Sequence, residues 1–171
     1  MRRELRLWLV QRTTAVRDTM AEHRDRLDNL RIAIETGNAG WAADLRVLVE
    51  ERVAVDEAWV ALRDSMGSLR AALELAASPG RRLVTWAVGS QEQGYLMDAI
   101  SRGQVVQGRL KRVDNVLRGM ASVFAGDATR PALLGVDTGV AHQRIVDAVH
   151  AWDDMLLSVE LAVQGLAVIP F

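Results

Sequence analysis

Mostly apolar residues recur along this sequence at alternating steps of three and four, in four long runs. Because an α-helix makes one turn in 3.6 residues, this spacing places each run on one stripe of a helix. The runs are Leu9, Thr13, Val16, Met20, His23, Leu27, Leu30 and Ile34; Trp41, Leu45, Leu48, Arg52, Val55, Trp59, Leu62, Met66, Leu69, Leu73 and Ala76; Gly89, Glu92, Leu96, Ala99, Gly103, Val106, Leu110, Val113, Leu117, Met120 and Phe124; and Ile145, Val149, Trp152, Leu156, Val159, Val163 and Leu166. No segment shows the alternation typical of β-strands, so the sequence predicts an all-α fold.

Turn-forming residues between the runs set the expected helix boundaries. Gly37 supplies a stop for the first helix, and Ser78-Pro79-Gly80 ends the second. Residues 126–138 are rich in Gly, Asp, Thr and Pro, with Asp137 or Thr138 as the expected N-cap of the fourth helix. We therefore predict one domain, 1–171, whose helices span about 2–36, 40–77, 82–125 and 138–168.

The lengths of the connections predict the topology. Short turns after the first and second helices force those neighbours to run antiparallel. The sequence thus favours an elongated up-down-up-down four-helix bundle with coiled-coil-like heptad seams and a longer third connection. A two-helix hairpin completed by partner chains is the alternative. Glycines stand in the third run where the others have leucine, which indicates either a close helix approach or a local break there.

Charge changes sign from one predicted helix to the next. Basic and acidic residues number eight and six in residues 1–39, four and seven in 40–80, seven and three in 81–125, and two and six in 126–171. If these segments pack side by side, opposite charges become neighbours, which favours that pairing modestly and mainly through specificity. The net charge of the whole chain is only −1, so no overall field attracts nucleic acid or an anionic membrane.

One end of the predicted bundle gathers both chain ends and the second turn, and it is the most apolar part of the molecule. The apolar residues occur there in runs, so more than one face of each helix is apolar. A well-filled end of the core is one explanation, and a protein partner, an oligomer or an interfacial membrane contact is another. The candidate partner-binding residues are Leu7, Trp8, Leu166, Val168, Ile169 and Phe171. Pro170 would end the helix and let Phe171 fill a pocket of a partner.

Two polar residues, His23 and Arg52, occupy seam positions that their heptads reserve for apolar side chains. Pairing the first two helices about the turn near residue 38 places them in one layer. A polar layer that fixes the helix register is the simpler interpretation. The alternative is a ligand-binding or catalytic pocket in the middle of the bundle.

The residue types limit the chemistry that the chain could perform. It has no cysteine, three histidines, and none of the nucleotide-binding, nucleophile-elbow or zinc-protease motifs. We predict no catalytic residue, no cofactor and no metal site, and hence a non-enzymatic protein. Asp147, His150, Asp153 and Asp154 have a helical spacing that could hold a metal, although solvated surface charge is the simpler interpretation.

Two stretches, Arg17 to His23 and Arg144 to His150, separate an arginine from a histidine by five residues. This spacing looks like the Arg-x(4 to 6)-His motif of HEPN ribonucleases, which are also helical bundles. The resemblance covers two residue types at a loose spacing. It implies that Arg144 would contact phosphate and that His150 would serve in acid-base or charge stabilisation of RNA cleavage.

The third predicted helix carries a basic band made of Arg102, Arg109, Lys111, Arg112 and Arg118. Nucleic-acid binding would use such a band for phosphate contacts. Aromatic residues for base stacking are not interleaved with it, and the acidic second and fourth helices could neutralise it. There is no strong nucleic-acid signal.

We therefore expect a structural, scaffold or adaptor component that acts through contacts with a protein partner or with copies of itself. No stretch approaches the roughly 20 apolar residues needed to span a bilayer. The basic start of the chain is followed by an apolar run, Leu7 to Val10, that is too short for a signal peptide. These features favour a mature soluble protein, either cytoplasmic or part of a soluble assembly.

Overall fold

The computed structural model describes residues 2–35, 45–77, 90–126 and 131–168, and all of them are helical. The helices are α1, Arg2–Glu35; α2, Leu45–Ala77; α3, Ser90–Gly126; and α4, Pro131–Val168. At 1.5 Å per residue each is about 50 to 57 Å long. The predicted all-α fold of four long helices is confirmed.

The helices pack in the cyclic order α1, α2, α3, α4, and each contacts its two neighbours in that order. Arg12 bonds to Ser68 and Arg26 bonds to Glu57, so residue numbers rise along α1 as they fall along α2. Residue numbers also run in opposite directions across the other three interfaces. The contacts that show this are Arg52–Asp114 and Met66–Gly103 between α2 and α3, Asp98–Ser158 and Arg109–Asp147 between α3 and α4, and Arg17–Glu160 and Arg24–Asp153 between α1 and α4. Neighbouring helices are antiparallel, as expected for the bundle.

The core follows the predicted stripes closely. In α3 every described stripe position from Glu92 to Leu117 is buried. Trp152 of α4 is fully buried, and its indole Nε1–H donates a 2.8 Å hydrogen bond to the backbone carbonyl of Met20 in α1. This bond fixes the relative height of α1 and α4, because a buried indole N–H must find an acceptor.

The fourth helix begins earlier than predicted, at Pro131 rather than near residue 138. Asp137 and Thr138 therefore lie inside α4 and do not cap it. Proline suits the first turn of a helix, since it needs no N–H acceptor there, and Ala132 and Leu133 that follow are good helix formers. The predicted starts of the second and third helices, near residues 40 and 82, lie outside the described residues.

The interior glycines do not break α3, which is continuous from Ser90 to Gly126. At Gly103 an added Cβ would lie 2.8 Å from the Met66 sulfur and 3.1 Å from the terminal methyl of Met155, so this glycine allows a close approach. A Cβ at Gly94 or Gly108 would meet nothing within 4 Å. Of the two explanations for the glycines, close approach holds at Gly103, and a break is contradicted.

Candidate functional site

The apolar end of the bundle contains both buried and exposed large side chains. Leu9 and Leu166 are fully buried, so Leu166 belongs to the core of this chain. Leu7 and Trp8 are 43% and 38% exposed. The side chain of Val168, and Ile169 and Phe171 entirely, lie outside the described residues. Of the six candidate partner-binding residues, the structure therefore places Leu7 and Trp8 on an accessible surface.

Trp8 is held in place by a neighbour on its own helix. The guanidinium carbon of Arg12 lies 5.1 Å from the centroid of the Trp8 ring, within cation–π range. Arg12 also donates a 3.4 Å hydrogen bond from Nη2 to the Ser68 hydroxyl of α2. The ring thus presents its apolar surface with reduced side-chain freedom, which lowers the entropy that a partner must remove on binding. The four-residue spacing of Trp8 and Arg12 was a sequence signal for this pair that the sequence analysis missed.

A groove of about 470 Å³ opens beside His23, between α1 and α2. Its lining is mostly apolar and is formed by His23, Val53, Asp56, Glu57, Val60 and Ala61. The Nδ1 atom of His23 is inaccessible to solvent and has no hydrogen-bond partner. Burial lowers the pKa of His23, with a further decrease from the nearby Arg26 charge, while Glu22 and Glu57 oppose the change. The groove thus has mostly apolar walls, whereas the unsatisfied Nδ1 of His23 is closed to solvent.

Arg52 lies at a different interface. Its Nε is 3.6 Å from the Asp114 carboxylate of α3, and neither of these two atoms has a hydrogen-bond partner. The structure therefore separates His23 and Arg52, and the expected shared layer is not formed. The physical reason is the register of the first two helices. Because Arg26 pairs with Glu57, His23 lies beside the residues around Val60 on α2 and not beside Arg52.

The acidic cluster of α4 is divided among arginines of two neighbouring helices. Asp153 accepts a 2.7 Å hydrogen bond from Arg24 of α1. Asp147 pairs with Arg109 of α3 and Asp154 with Arg102, at 3.4 and 3.7 Å. His150 is exposed. Over residues 2–35, 45–77, 90–126 and 131–168, no group of three or more His, Asp or Glu side chains is placed to hold a metal ion.

The residues that resemble the HEPN motif do not converge on one surface. Six positions along an α-helix correspond to about 600° of rotation, which leaves the two side chains roughly 120° apart. In α1, Arg17 pairs with Asp18 and with Glu160 of α4, whereas His23 faces the groove beside α2. In α4, Arg144 is half-buried and His150 is exposed. Neither pair forms a common phosphate site.

The basic band of α3 is largely paired within the chain. Arg102 bonds to Asp98, Arg109 to Asp147, and Arg118 to Asp114. Lys111 and Arg112 are exposed, and neither forms an ion pair with any residue that the structure describes. Of the five cations in the band, two are therefore left for phosphate contacts without an ion pair to a described residue.

No protein-family model, curated protein or solved structure matches the chain. In the described part of the chain, no helix combines the length and apolar character required to cross a membrane.

Proposed function

We propose that this protein is a non-enzymatic helical scaffold that works by binding other protein chains, with the apolar end of the bundle as one contact surface. The observation that carries the proposal is the exposure of Leu7 and Trp8 directly beside the buried Leu9. Successive side chains of a helix point about 100° apart, so each of the two offers its own apolar surface, which a partner can cover with a gain in free energy. Tryptophan held by a guanidinium is the kind of rigid anchor that dominates binding energy at protein interfaces.

The experiment compares full-length wild-type protein with the double variant Leu7→Ser/Trp8→Ser as bait in cross-linking and capture from cells that express it. Leu157→Ser, which removes an apolar side chain of α4 that is 60% exposed, is the matched control. We expect the double variant to lose chains that both wild type and Leu157→Ser retain. Equal recovery by all three proteins, with equal thermal stability, would count against the proposal.

A second candidate function is ligand binding in the groove beside His23, and the size and mostly apolar lining of this groove are the observations that favour it. A ligand with an apolar body and one hydrogen-bonding group would match this lining. Screening such compounds by NMR should then shift the His23 ring signals of wild type, and His23→Leu should abolish binding without loss of fold. Failure to detect any compound that perturbs these signals would remove this candidate.

A further inference from the structure

A second groove opens between α1 and α2, next to the groove beside His23. Its volume is about 410 Å³. It is lined by Arg12, Ala15, Val16, Thr19, Ala61, Asp64, Ser65 and Ser68. Because Ala61 lines both grooves, they are neighbouring parts of one concave surface, here named the α1–α2 groove.

Two contacts between the helices mark the ends of the α1–α2 groove. Arg12 donates a hydrogen bond to Ser68, and Arg26 donates one to Glu57. The two arginines are 14 positions apart, so the groove is about 20 Å long. Several of the lining residues between these contacts are alanine, serine or threonine, whose side chains are too short to fill the space between two helices.

Ser65 is a buried polar residue whose hydroxyl has no partner. Its relative exposure is 5%, and its side chain forms no hydrogen bond with a described residue. Thr13 and Ser158, which are buried as well, each donate to the backbone carbonyl four positions earlier, at 2.7 and 3.3 Å. A buried hydroxyl without a partner costs free energy. Since Ser65 lines the groove, a ligand there could supply the missing hydrogen bond.

Arg12 supplies a cation at the same end of the groove. The Trp8 ring at 5.1 Å and the Ser68 hydroxyl at 3.4 Å hold its guanidinium in place. Arg12 forms no ion pair with a described residue, and the Asp64 carboxylate in the same lining is bonded to Arg63 at 3.1 Å. The guanidinium therefore has N–H donors left for an anion, to which the nearby buried hydroxyl can add one more.

The end of the groove at His23 has a different character. Its walls are mostly apolar and include two exposed valines, and its charged residues are the carboxylates Asp56 and Glu57. Glu57 is paired across the helices, and Asp56 lies near a cation of α3, so no cation is left over there. A ligand with one anionic group and an apolar chain would therefore place the anion at Arg12 and the chain beside His23.

We propose that the α1–α2 groove binds a single-chain organic carboxylate, with its carboxylate on Arg12 and Ser65 and its apolar chain along the walls beside His23. Mostly apolar walls with a few polar groups are typical of small-molecule sites. One guanidinium matches the single negative charge of a carboxylate, whereas a phosphate monoester carries about −1.5 to −2 and would face Asp64 with the surplus. The inference rests on the second candidate function, to which it adds the site for the anionic group, and it requires no partner at the apolar end of the bundle.

The test is a titration of the full chain, labelled at its alanine methyl groups, with sodium octanoate and detection by NMR. We expect saturable shifts at Ala15, at Ala61 and at the His23 ring. Octanol, which has the chain without the charge, and acetate, which has the charge without the chain, should each bind about tenfold or more weakly. Equal affinity for octanoate and either of these compounds, or tighter binding of octyl phosphate, would overturn the proposal.

Two variants test the site for the carboxylate. Arg12→Met should weaken octanoate binding by about tenfold or more and leave octanol binding unchanged, whereas Arg112→Met, at an exposed arginine of α3, should change neither. Ser65→Ala should weaken octanoate binding by about threefold or more without a decrease in thermal stability, because its hydroxyl has no partner in the folded chain. An unchanged octanoate affinity in either Arg12→Met or Ser65→Ala would overturn the proposal.

A further variant tests the position of the apolar chain. Val60→Ser should weaken octanoate and octanol binding alike, whereas Val105→Ser on α3, at a valine of similar exposure, should affect neither. If octanoate fails to bind while an uncharged compound still shifts the His23 ring signals, this inference is wrong and the second candidate function stands. If no compound shifts these signals, both are wrong.

Discussion

Single residues fix the relative positions of the long helices, and Trp152 is the clearest case. A smooth pair of helices can slide by one turn at little cost, whereas the hydrogen bond from the Trp152 indole to the Met20 carbonyl exists at one height only. Seven-residue spacing identified Trp152 as a core residue. Its acceptor is a backbone atom on a distant helix, so no pattern of side chains along the chain could reveal it.

Trp152→Phe should lower the free energy of unfolding by about 2 to 4 kcal/mol, since it removes buried volume together with a buried hydrogen bond. Urea denaturation followed by circular dichroism measures this loss. Trp59→Phe is the matched control, because Trp59 is only partly buried and its loss should be about 1 kcal/mol or less. Equal losses for the two variants would contradict the role given to the Trp152 indole.

His23 makes the stability depend on pH. Burial lowers its pKa below the ordinary value of 6.5, so the unfolded chain binds more protons than the folded chain between those two values. The contribution of His23 therefore leaves stability undiminished well above pH 6.5 and lowers it as the pH decreases through that range. Burial raises the pKa of Glu51, so a decrease in pH favours the folded state through this residue, which is opposite to the effect of His23. The effect of His23 must therefore be measured as a difference in stability between variants.

We expect wild type to lose more stability than His23→Leu when the pH is lowered from about 7.5 to about 5. Chemical denaturation of both proteins at the two pH values gives the difference directly. An identical loss in the two proteins would show that His23 stays in water and does not titrate with a lowered pKa.

At the scale of the helix, glycine occupies two different environments in α3. Gly103 lies where two methionines approach, whereas Gly108 lies on the open surface. The sequence pattern could place a glycine in the third seam, but it could not distinguish these uses, because that requires the residues across the interface. The beginning of α4 shows a similar limit: the turn-like composition of 126–138 suggested a loop, but helix formers after Pro131 continue the helix.

Gly108→Ala should raise the free energy of unfolding of the monomer by up to about 1 kcal/mol, because it removes backbone entropy from the unfolded chain without a clash. Gly103→Ala should be less stable than Gly108→Ala by about 1 kcal/mol or more, because its methyl group forces Met66 and Met155 to move. Thermal and urea unfolding at low protein concentration report both values. The reverse order would contradict the close packing of α3 against α2 and α4.

At the scale of the whole molecule, charge alternates around the bundle. Most ion pairs between helices join a cation of α1 or α3 to an anion of α2 or α4, as the counts of charged residues along the chain anticipated. Arg52–Asp114 and His142–Glu35 are reversed pairs. The fold class and the buried stripes could thus be predicted, because both depend on periodicity. The exposed surfaces could not be predicted from the sequence, because the exposure of a side chain depends on which stripe of its helix the neighbouring helices cover.

Arg109 and Asp147 allow a clean test of this arrangement, since Arg109 has no other ion pair among the described residues. Arg109→Asp and Asp147→Arg should each destabilise the fold by up to about 1 kcal/mol, and the double variant should recover most of the loss. A double-mutant cycle by urea denaturation at low and high salt measures the coupling. Additive losses, with no recovery, would contradict the pairing of α3 with α4.

The central claim is that this bundle works by contact with other protein chains, with its apolar end as one contact surface. Cross-linking and capture with full-length wild type, Leu7→Ser/Trp8→Ser and Leu157→Ser as bait test it most directly. The account predicts that the double variant loses partner chains that wild type and Leu157→Ser both retain. Equal recovery by all three proteins, with equal thermal stability, would contradict it.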